Sequence, residues 1–77
     1  MTSLTDTERS MLDLEGRWFK YPGAKDAVIR DSFGLSPTIY FARLSVLIRR
    51  PEALAYAPST VTRLQRLEHR RRAARRA

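Results

Sequence analysis

The side chains of this sequence that are best suited to bind a ligand are the arginines near its C-terminus. Residues 49–77 contain nine arginines against two glutamates, whereas residues 1–48 carry six basic and six acidic side chains. The whole formal net charge of +7 therefore lies in the second segment. A guanidinium group donates two parallel hydrogen bonds to phosphate oxygens, which a lysine ammonium does not do. A neutral part followed by an arginine-rich end is typical of proteins that bind nucleic acid.

The arginine run that begins at Arg70 has three interpretations. A phosphate backbone would neutralise like charges such as those of Arg66 and Arg70, which repel each other at i,i+4 on a helix. A solvated helix end is the second interpretation, because arginine suits the negative end of the helix dipole. An anionic membrane is the third, and it is disfavoured because this helix carries no Trp or Phe on its apolar side. We predict contacts with nucleic acid and none with a membrane.

A second candidate site follows from the stretch Gly34-Leu35-Ser36-Pro37-Thr38. Gly34 is able to take the left-handed conformation that ends a helix. Ser36 is suited to cap the next helix, and Pro37 is suited to its first position. A helix, a short turn and a Ser-capped second helix together predict a helix-turn-helix. In DNA-binding versions of this motif the second helix enters the major groove.

The expected phosphate contacts also include lysines near this motif. Lys20 and Lys25 flank the break at Pro22-Gly23, and that end of a helix-turn-helix lies by the DNA backbone. Contacts of this kind set affinity and register rather than sequence preference. The predicted phosphate-contacting residues are Lys20, Lys25, Arg50, Arg63, Arg66, Arg70, Arg71, Arg72, Arg75 and Arg76.

The outer face of the motif's second helix decides how well it would read bases. Base recognition usually needs Arg, Lys, Asn or Gln, and only Arg43 and Thr38 are suited to it here. The other outward residues Ile39, Ala42 and Val46 form an apolar stripe. Three explanations of this stripe remain: contact with thymine methyl groups, an interface with a second copy or another protein, or burial beneath the last helix. The predicted groove-facing residues are Ser36, Thr38, Ile39, Ala42 and Arg43, and the predicted protein interface is Ile39, Ala42 and Val46.

The sequence contains few residues that are suited to catalysis. The sequence has one histidine, His69, and no residue is placed to orient it as a general base. There is no cysteine and no glycine-rich phosphate loop, and one histidine with scattered carboxylates does not make a metal site. We predict no enzymatic activity, no catalytic residue, no metal site and no cofactor.

The elements that position these residues are predicted to be helices. Thr5 and Glu8 have the spacing of a capping box, so a first helix should run from about Asp6 to Lys20. Gly16 costs a helix interior about 1 kcal/mol, which indicates a close crossing with another helix at that point. The predicted inner stripe is Met11, Leu14, Trp18 and Tyr21, widened by Leu12 and Phe19.

The aromatic residues Trp18, Phe19 and Tyr21 have two interpretations. At helical spacing beside Leu14 they are typical of a hydrophobic core. The alternative is a platform on which nucleobases stack. We predict the core.

The remaining elements follow from the spacing of apolar residues. A second helix should span about Ala24 to Phe33 and a third about Pro37 to Arg49. Pro51 to Leu54 predicts one helical turn anchored by Leu54, and a last helix should begin near Pro58. The predicted inward residues are Ala24, Val28, Ile29 and Phe33 in the second helix, Tyr40, Leu44, Leu47 and Ile48 in the third, and Val61, Leu64 and Leu67 in the last.

Length and composition predict one all-α domain. We expect an N-terminal tail over residues 1–4, a three-helix helix-turn-helix domain over residues 5–56, and a basic C-terminal helix over residues 57–77 that packs on the domain at its start. The first residues lack the basic start and apolar run of a signal peptide, and no stretch approaches the ~20 apolar residues of a membrane span. We therefore expect a cytoplasmic, nucleoid-associated protein.

Several motifs of the chain are shared with a known family. They are Trp18-Phe19-Lys20-Tyr21, Gly23-Ala24-Lys25, Phe33-Gly34-Leu35-Ser36-Pro37-Thr38, Tyr40-Phe41, Leu44, Leu47-Ile48, Arg50-Pro51-Glu52-Ala53-Leu54, Pro58, Val61 and Arg63-Leu64. In these motifs the chain resembles short actinobacterial and actinophage proteins of unknown function that are predicted to be helix-turn-helix DNA binders. The resemblance runs from about Leu4 to the basic end, and it implies an all-α fold and a transcription-related or phage-encoded regulatory role.

The chain departs from that family at three positions. Ile39 stands where a polar or basic residue is usual, Ser45 where Asn is common, and Ala57 in place of an Asp cap. The first two departures reduce the hydrogen-bonding capacity near the third helix, which weakens the case for sequence-specific reading.

The sequence thus predicts a small regulator that binds duplex DNA through the helix-turn-helix and grips phosphates with its arginine-rich helix. Two alternatives remain. One is a protein-interaction module that docks on the transcription machinery or another partner, or on a second copy, through the apolar stripe. The other is a protein associated with RNA or the ribosome, in which the same arginines contact RNA.

Overall fold

A computed structural model describes residues 3–76, and at Arg76 it describes the backbone alone. The described chain forms five α-helices: α1 (Asp6–Glu15), α2 (Pro22–Phe33), α3 (Pro37–Leu47), α4 (Pro51–Tyr56) and α5 (Pro58–Arg76). Helix α2 packs on α3, α4 packs on α5, and α1 closes the bundle against α4 and α5. The all-α class is confirmed.

The core is formed by apolar residues of every helix. Leu4 is buried in it, so this residue of the predicted N-terminal tail is part of the folded domain. Partly buried Phe19, Val28, Phe33, Leu35, Ala57 and Leu64 pack around the core. The buried apolar residues are Leu4, Met11, Leu12, Leu14, Ile29, Tyr40, Leu44, Leu47, Ile48, Ala53 and Val61.

Helix α1 begins as predicted and ends five residues early. The Thr5 hydroxyl accepts a hydrogen bond from the Glu8 backbone N–H, and the Glu8 carboxylate accepts one from the Thr5 N–H at 2.8 Å. At the other end Gly16 is the C-cap rather than a helix-interior residue. The Arg63 guanidinium donates to the Glu15 carbonyl oxygen, which a continuing helix would use for its own ladder.

The early end of α1 overturns two predictions. Trp18 and Tyr21 are 83% and 63% exposed rather than buried, because they lie in the connection to α2. The close crossing at Gly16 is also wrong. A methyl group there would lie 3.6 Å from the Thr60 hydroxyl oxygen, which is ordinary contact.

The corner between α2 and α3 has the predicted local geometry. Gly34 takes the left-handed conformation, with φ 64° and ψ 23°, and its N–H donates to the Arg30 carbonyl at 2.9 Å. The Ser36 hydroxyl accepts a hydrogen bond from the Ile39 N–H at 3.3 Å, and Pro37 begins α3. Helix α2 starts at Pro22, two residues before the predicted start.

The predicted inward residues of α3 are confirmed, and one predicted inward residue is corrected in each of α2, α4 and α5. Ala24 is exposed, because the earlier start of α2 places it in the first turn. Leu54 is 44% exposed, and Ala53 enters the core in its place, where its small side chain lets α4 lie close to α5. Leu67 is 40% exposed, because α5 leaves the core beyond Leu64.

None of the described helices is both long enough and apolar enough to cross a bilayer. Within residues 3–76, no three His, Asp or Glu side chains lie close enough together to hold a metal ion.

Candidate nucleic-acid interface

The arginine end of α5 (residues 66–76) extends beyond the hydrophobic core. Val61, Leu64 and Glu68 follow one another at spacings of three and four on the face that packs against the bundle. The same spacing leads on to Arg72 and Arg75, both of which are exposed. In the last turns of α5, arginine therefore occupies even the face that packs against the core earlier in the helix.

Most arginines in this segment carry a free positive charge. Among the described residues, Arg66, Arg70, Arg71 and Arg75 are exposed and have no carboxylate partner. Arg72 donates to the Glu68 carboxylate at 2.6 Å, and the same oxygen lies 3.3 Å from Arg49. The side chain of Arg76, also predicted to contact phosphate, lies outside what the structure describes. The described segment thus presents four uncompensated cations and one that is shared.

Lys25 and Arg63, two further predicted phosphate contacts, belong to a polar cluster at the end of α1. The Glu15 cluster consists of Glu15, Lys25, Tyr40 and Arg63. Lys25 donates to one carboxylate oxygen of Glu15 at 2.7 Å, and the Tyr40 hydroxyl donates to the other at 2.5 Å. Glu15 is 5% exposed and Tyr40 is fully buried. Burial, followed by the bond to Glu15, raises the pKa of the Tyr40 hydroxyl far above its usual range.

The Glu15 cluster was not anticipated from the sequence. Tyr40 was expected in the core, but a buried carboxylate was not. The signal that was available is the position of Glu15 directly beside Leu14, on the buried side of a helix whose aspartates are exposed. Its partners lie 10 and 25 residues away, so no local pattern identifies them.

Arg50 is held by carboxylates as well. It is the N-cap residue of α4 and pairs with Glu8 and, at 3.5 Å, with Glu52. The Thr5 backbone N–H, together with Arg50, holds the pKa of the Glu8 carboxyl below its usual 4.5. Arg50 is therefore half-buried and joins the start of α1 to the start of α4.

The outer face of α3 is exposed. Ile39 and Val46 are 49% and 64% exposed, and Thr38, Ala42 and Arg43 are exposed beside them. The last helix does not cover this stripe, so the explanation that it belongs to the core is wrong. The stripe forms one wall of an open groove of about 700 Å³ whose other wall is the start of α1, including Thr7, Glu8 and Met11.

The aromatic loop (residues 16–21) joins α1 to α2 and carries both aromatic and basic side chains. The Arg17 guanidinium lies 5.1 Å from the centre of the Phe19 ring, and Phe19 packs against the core. The Lys20 ammonium lies 5.6 Å from the centre of the Tyr21 ring. Trp18 and Tyr21 project into solvent.

The predicted phosphate contacts come together only in part. Lys25 and Arg71 line the same cleft, of about 210 Å³, beside Phe41 and Leu67. Lys20 lies in the aromatic loop, and Arg50 lies in the groove beside α3. The structure thus places most of the predicted cations on α5, with Lys25 beside the cleft that Arg71 also lines.

Comparison with known proteins identifies a family whose description assigns no function. A family profile described as a protein of unknown function, DUF3263, matches residues 3–76. Neither the curated proteins nor the solved structures contain a match to this chain.

Proposed function

The chain belongs to the DUF3263 family, whose description assigns no function, and from its own charges and contacts we propose that it binds duplex DNA. The observation that carries the proposal is the set of four exposed, unpaired arginines on the end of α5 beyond the core. Neighbouring like charges on a helix destabilise it. A phosphate backbone removes this repulsion and releases counterions on binding.

In the proposed complex, α5 contacts the backbone while the corner formed by α2 and α3 docks as a helix-turn-helix. The arginine end of α5 is about 15 Å long, so it spans several phosphates of a duplex. Base reading would be limited to Arg43 and Thr38, with thymine methyl contacts from Ile39 and Ala42. This distribution supports strong backbone binding with modest sequence preference. We propose that this DNA binding serves a regulatory role in transcription.

The test is the affinity for a 24-base-pair duplex between 50 and 300 mM NaCl, measured by fluorescence anisotropy. Each neutralised phosphate contributes about −0.9 to the slope of log K against log salt, so four unpaired arginines predict a slope of about −3.6. A slope near zero would contradict the proposal. In a competition experiment, a structured RNA hairpin that displaces the duplex preferentially would show that the protein binds RNA rather than duplex DNA.

A second candidate function is protein interaction through the stripe of Ile39, Ala42 and Val46. The observation that favours it is the exposure of this stripe beside a groove large enough for side chains of a partner. Exposed apolar patches of this kind commonly mark interaction sites. Candidate partners are a second copy of the chain and the transcription machinery.

For this candidate we expect Val46→Asp to abolish binding to purified RNA polymerase, or self-association in sedimentation velocity, while the slope for duplex binding stays unchanged. The charge would be desolvated in the interface without a partner. Leu54→Asp is the matched control, because Leu54 is a similarly exposed apolar residue on α4. If the native chain neither associates with itself nor binds the polymerase, the candidate fails.

A further inference from the structure

We infer that the aromatic loop is a stacking site for unpaired nucleobases, an inference that rests on the proposed binding of nucleic acid and adds to it. The loop presents Trp18 and Tyr21 to solvent, with 83% and 63% of their surfaces exposed. Aromatic rings in this state are suited to receive the flat face of a base.

The backbone holds these rings away from the core. Helix α1 ends at Glu15, and the Arg63 guanidinium satisfies a carbonyl oxygen that its last turn leaves unpaired. Tyr21 is extended, with φ −126° and ψ 138°, and Pro22 starts the next helix directly after it. Phe19 between the two exposed rings packs against the core and anchors the loop. The exposure of Trp18 and Tyr21 therefore follows from the fold on both sides of the loop.

The charges of the loop favour nucleic acid over other partners. Residues 16–21 contain Arg17 and Lys20 and no acidic residue. Lys20 lies over the Tyr21 ring, so a cation accompanies an exposed aromatic face. Proteins that bind single strands combine aromatic side chains for the bases with a positive groove for the backbone. An apolar protein partner would gain nothing from these cations.

The loop is also continuous with the proposed phosphate-binding helix. A methyl group at Gly16 would lie 3.6 Å from the Thr60 hydroxyl, so the loop begins against the first turn of α5. Arg63, one turn further on, contacts Glu15 directly. The loop therefore lies at the start of α5, and the nearest unpaired arginine, Arg66, follows Arg63 by three residues. Unpaired bases at a melted or single-stranded site are the ligand class that fits both parts.

Trp18 makes the inference directly measurable, because it is the only tryptophan of the chain. The probes are a 12-nucleotide oligothymidylate, an abasic phosphodiester oligomer of the same length, and a 12-base-pair duplex, each at 50 mM NaCl. We expect the oligothymidylate to quench the Trp18 emission and to bind about tenfold more tightly than the abasic oligomer, a ratio within the range of stacking on one aromatic ring.

Variants separate stacking from charge. With fluorescein-labelled oligomers, Trp18→Ala should lose the tenfold preference for the base-bearing oligomer while its affinities for the abasic oligomer and the duplex stay within twofold. Trp18→Phe should retain part of the preference, because a smaller ring still stacks. Leu54→Ala, which removes an exposed apolar side chain on α4, is the control and should change none of the affinities.

The outcomes distinguish this inference from the proposed function. Equal binding of base-bearing and abasic oligomers, with unchanged Trp18 emission, would overturn the inference and leave salt-dependent duplex binding intact. Quenching by the oligothymidylate without any duplex binding would support the inference and refute the proposed function. A blue shift with phosphatidylglycerol vesicles, together with no response to the oligothymidylate, would overturn the inference in favour of a membrane surface.

Discussion

Replacing Arg70, Arg71 and Arg75 together by glutamine is expected to weaken duplex binding on the order of 10³-fold at 50 mM salt. All three side chains are exposed and have no carboxylate partner within the described chain, so each is available to a phosphate. Three lost contacts should also reduce the slope of log K against log salt by about 2.7. Anisotropy titrations of the 24-base-pair duplex at several salt concentrations measure both quantities.

The control for this triple variant is a change of charge elsewhere on the surface. Arg9→Gln removes one arginine from α1, which lies outside both proposed contacts with DNA, and should be compared with Arg70→Gln alone. We expect the first to change affinity by less than about twofold and the second by about tenfold. Circular dichroism should show that the triple variant is as helical as the native chain, because substitution relieves repulsion between neighbouring arginines. An unchanged salt slope in the triple variant would remove α5 from the interface.

Glu15→Ala is expected to destabilise the fold by about 3–5 kcal/mol, with the lower part of that range favoured because Lys25 can turn towards solvent. The substitution leaves the buried Tyr40 hydroxyl and the partly buried Lys25 ammonium without their shared partner. A domain of this length has a total stability of about 4–12 kcal/mol. The melting temperature should therefore fall by at least about 12 °C.

Thermal and urea unfolding followed by circular dichroism test this prediction. Asp31→Ala is the control, because Asp31 is an exposed acid of α2 without a partner among the described residues, and it should change stability by less than about 0.5 kcal/mol. Tyr40→Phe removes one bond to the carboxylate and should cost about 1–3 kcal/mol. Equal stability of the Glu15→Ala and Asp31→Ala variants would show that the cluster does not hold the bundle together.

The features that the sequence predicted well are those that depend on neighbouring residues. Thr5 with Glu8 predicted the start of α1, and Gly34 with Ser36 predicted the corner before α3, because capping groups act within three or four positions. The inner face of α3 was also predicted correctly, since its apolar residues keep a helical spacing over three turns. The basic end of the chain was visible from composition alone.

The features that the sequence did not predict depend on distant residues. At the end of α1 the Glu15 carbonyl accepts a hydrogen bond from Arg63, which lies 48 positions away. The apolar spacing of Leu14, Trp18 and Tyr21 taken alone favours a longer helix and a buried tryptophan. The position of the aromatic loop is therefore a tertiary effect, and so is the pairing of Lys25 with Glu15, which gives a predicted phosphate contact a carboxylate partner.

The contact between the first and last helices also constrains the order in which the protein can fold during synthesis. Chains emerge from the ribosome N-terminus first. Helices α1 to α4 lack Val61 and the Arg63 guanidinium, so their core remains open on the side that α5 closes. Folding can therefore finish only after the first turns of α5 have appeared. The most basic segment of α5 emerges after the residues that complete the core.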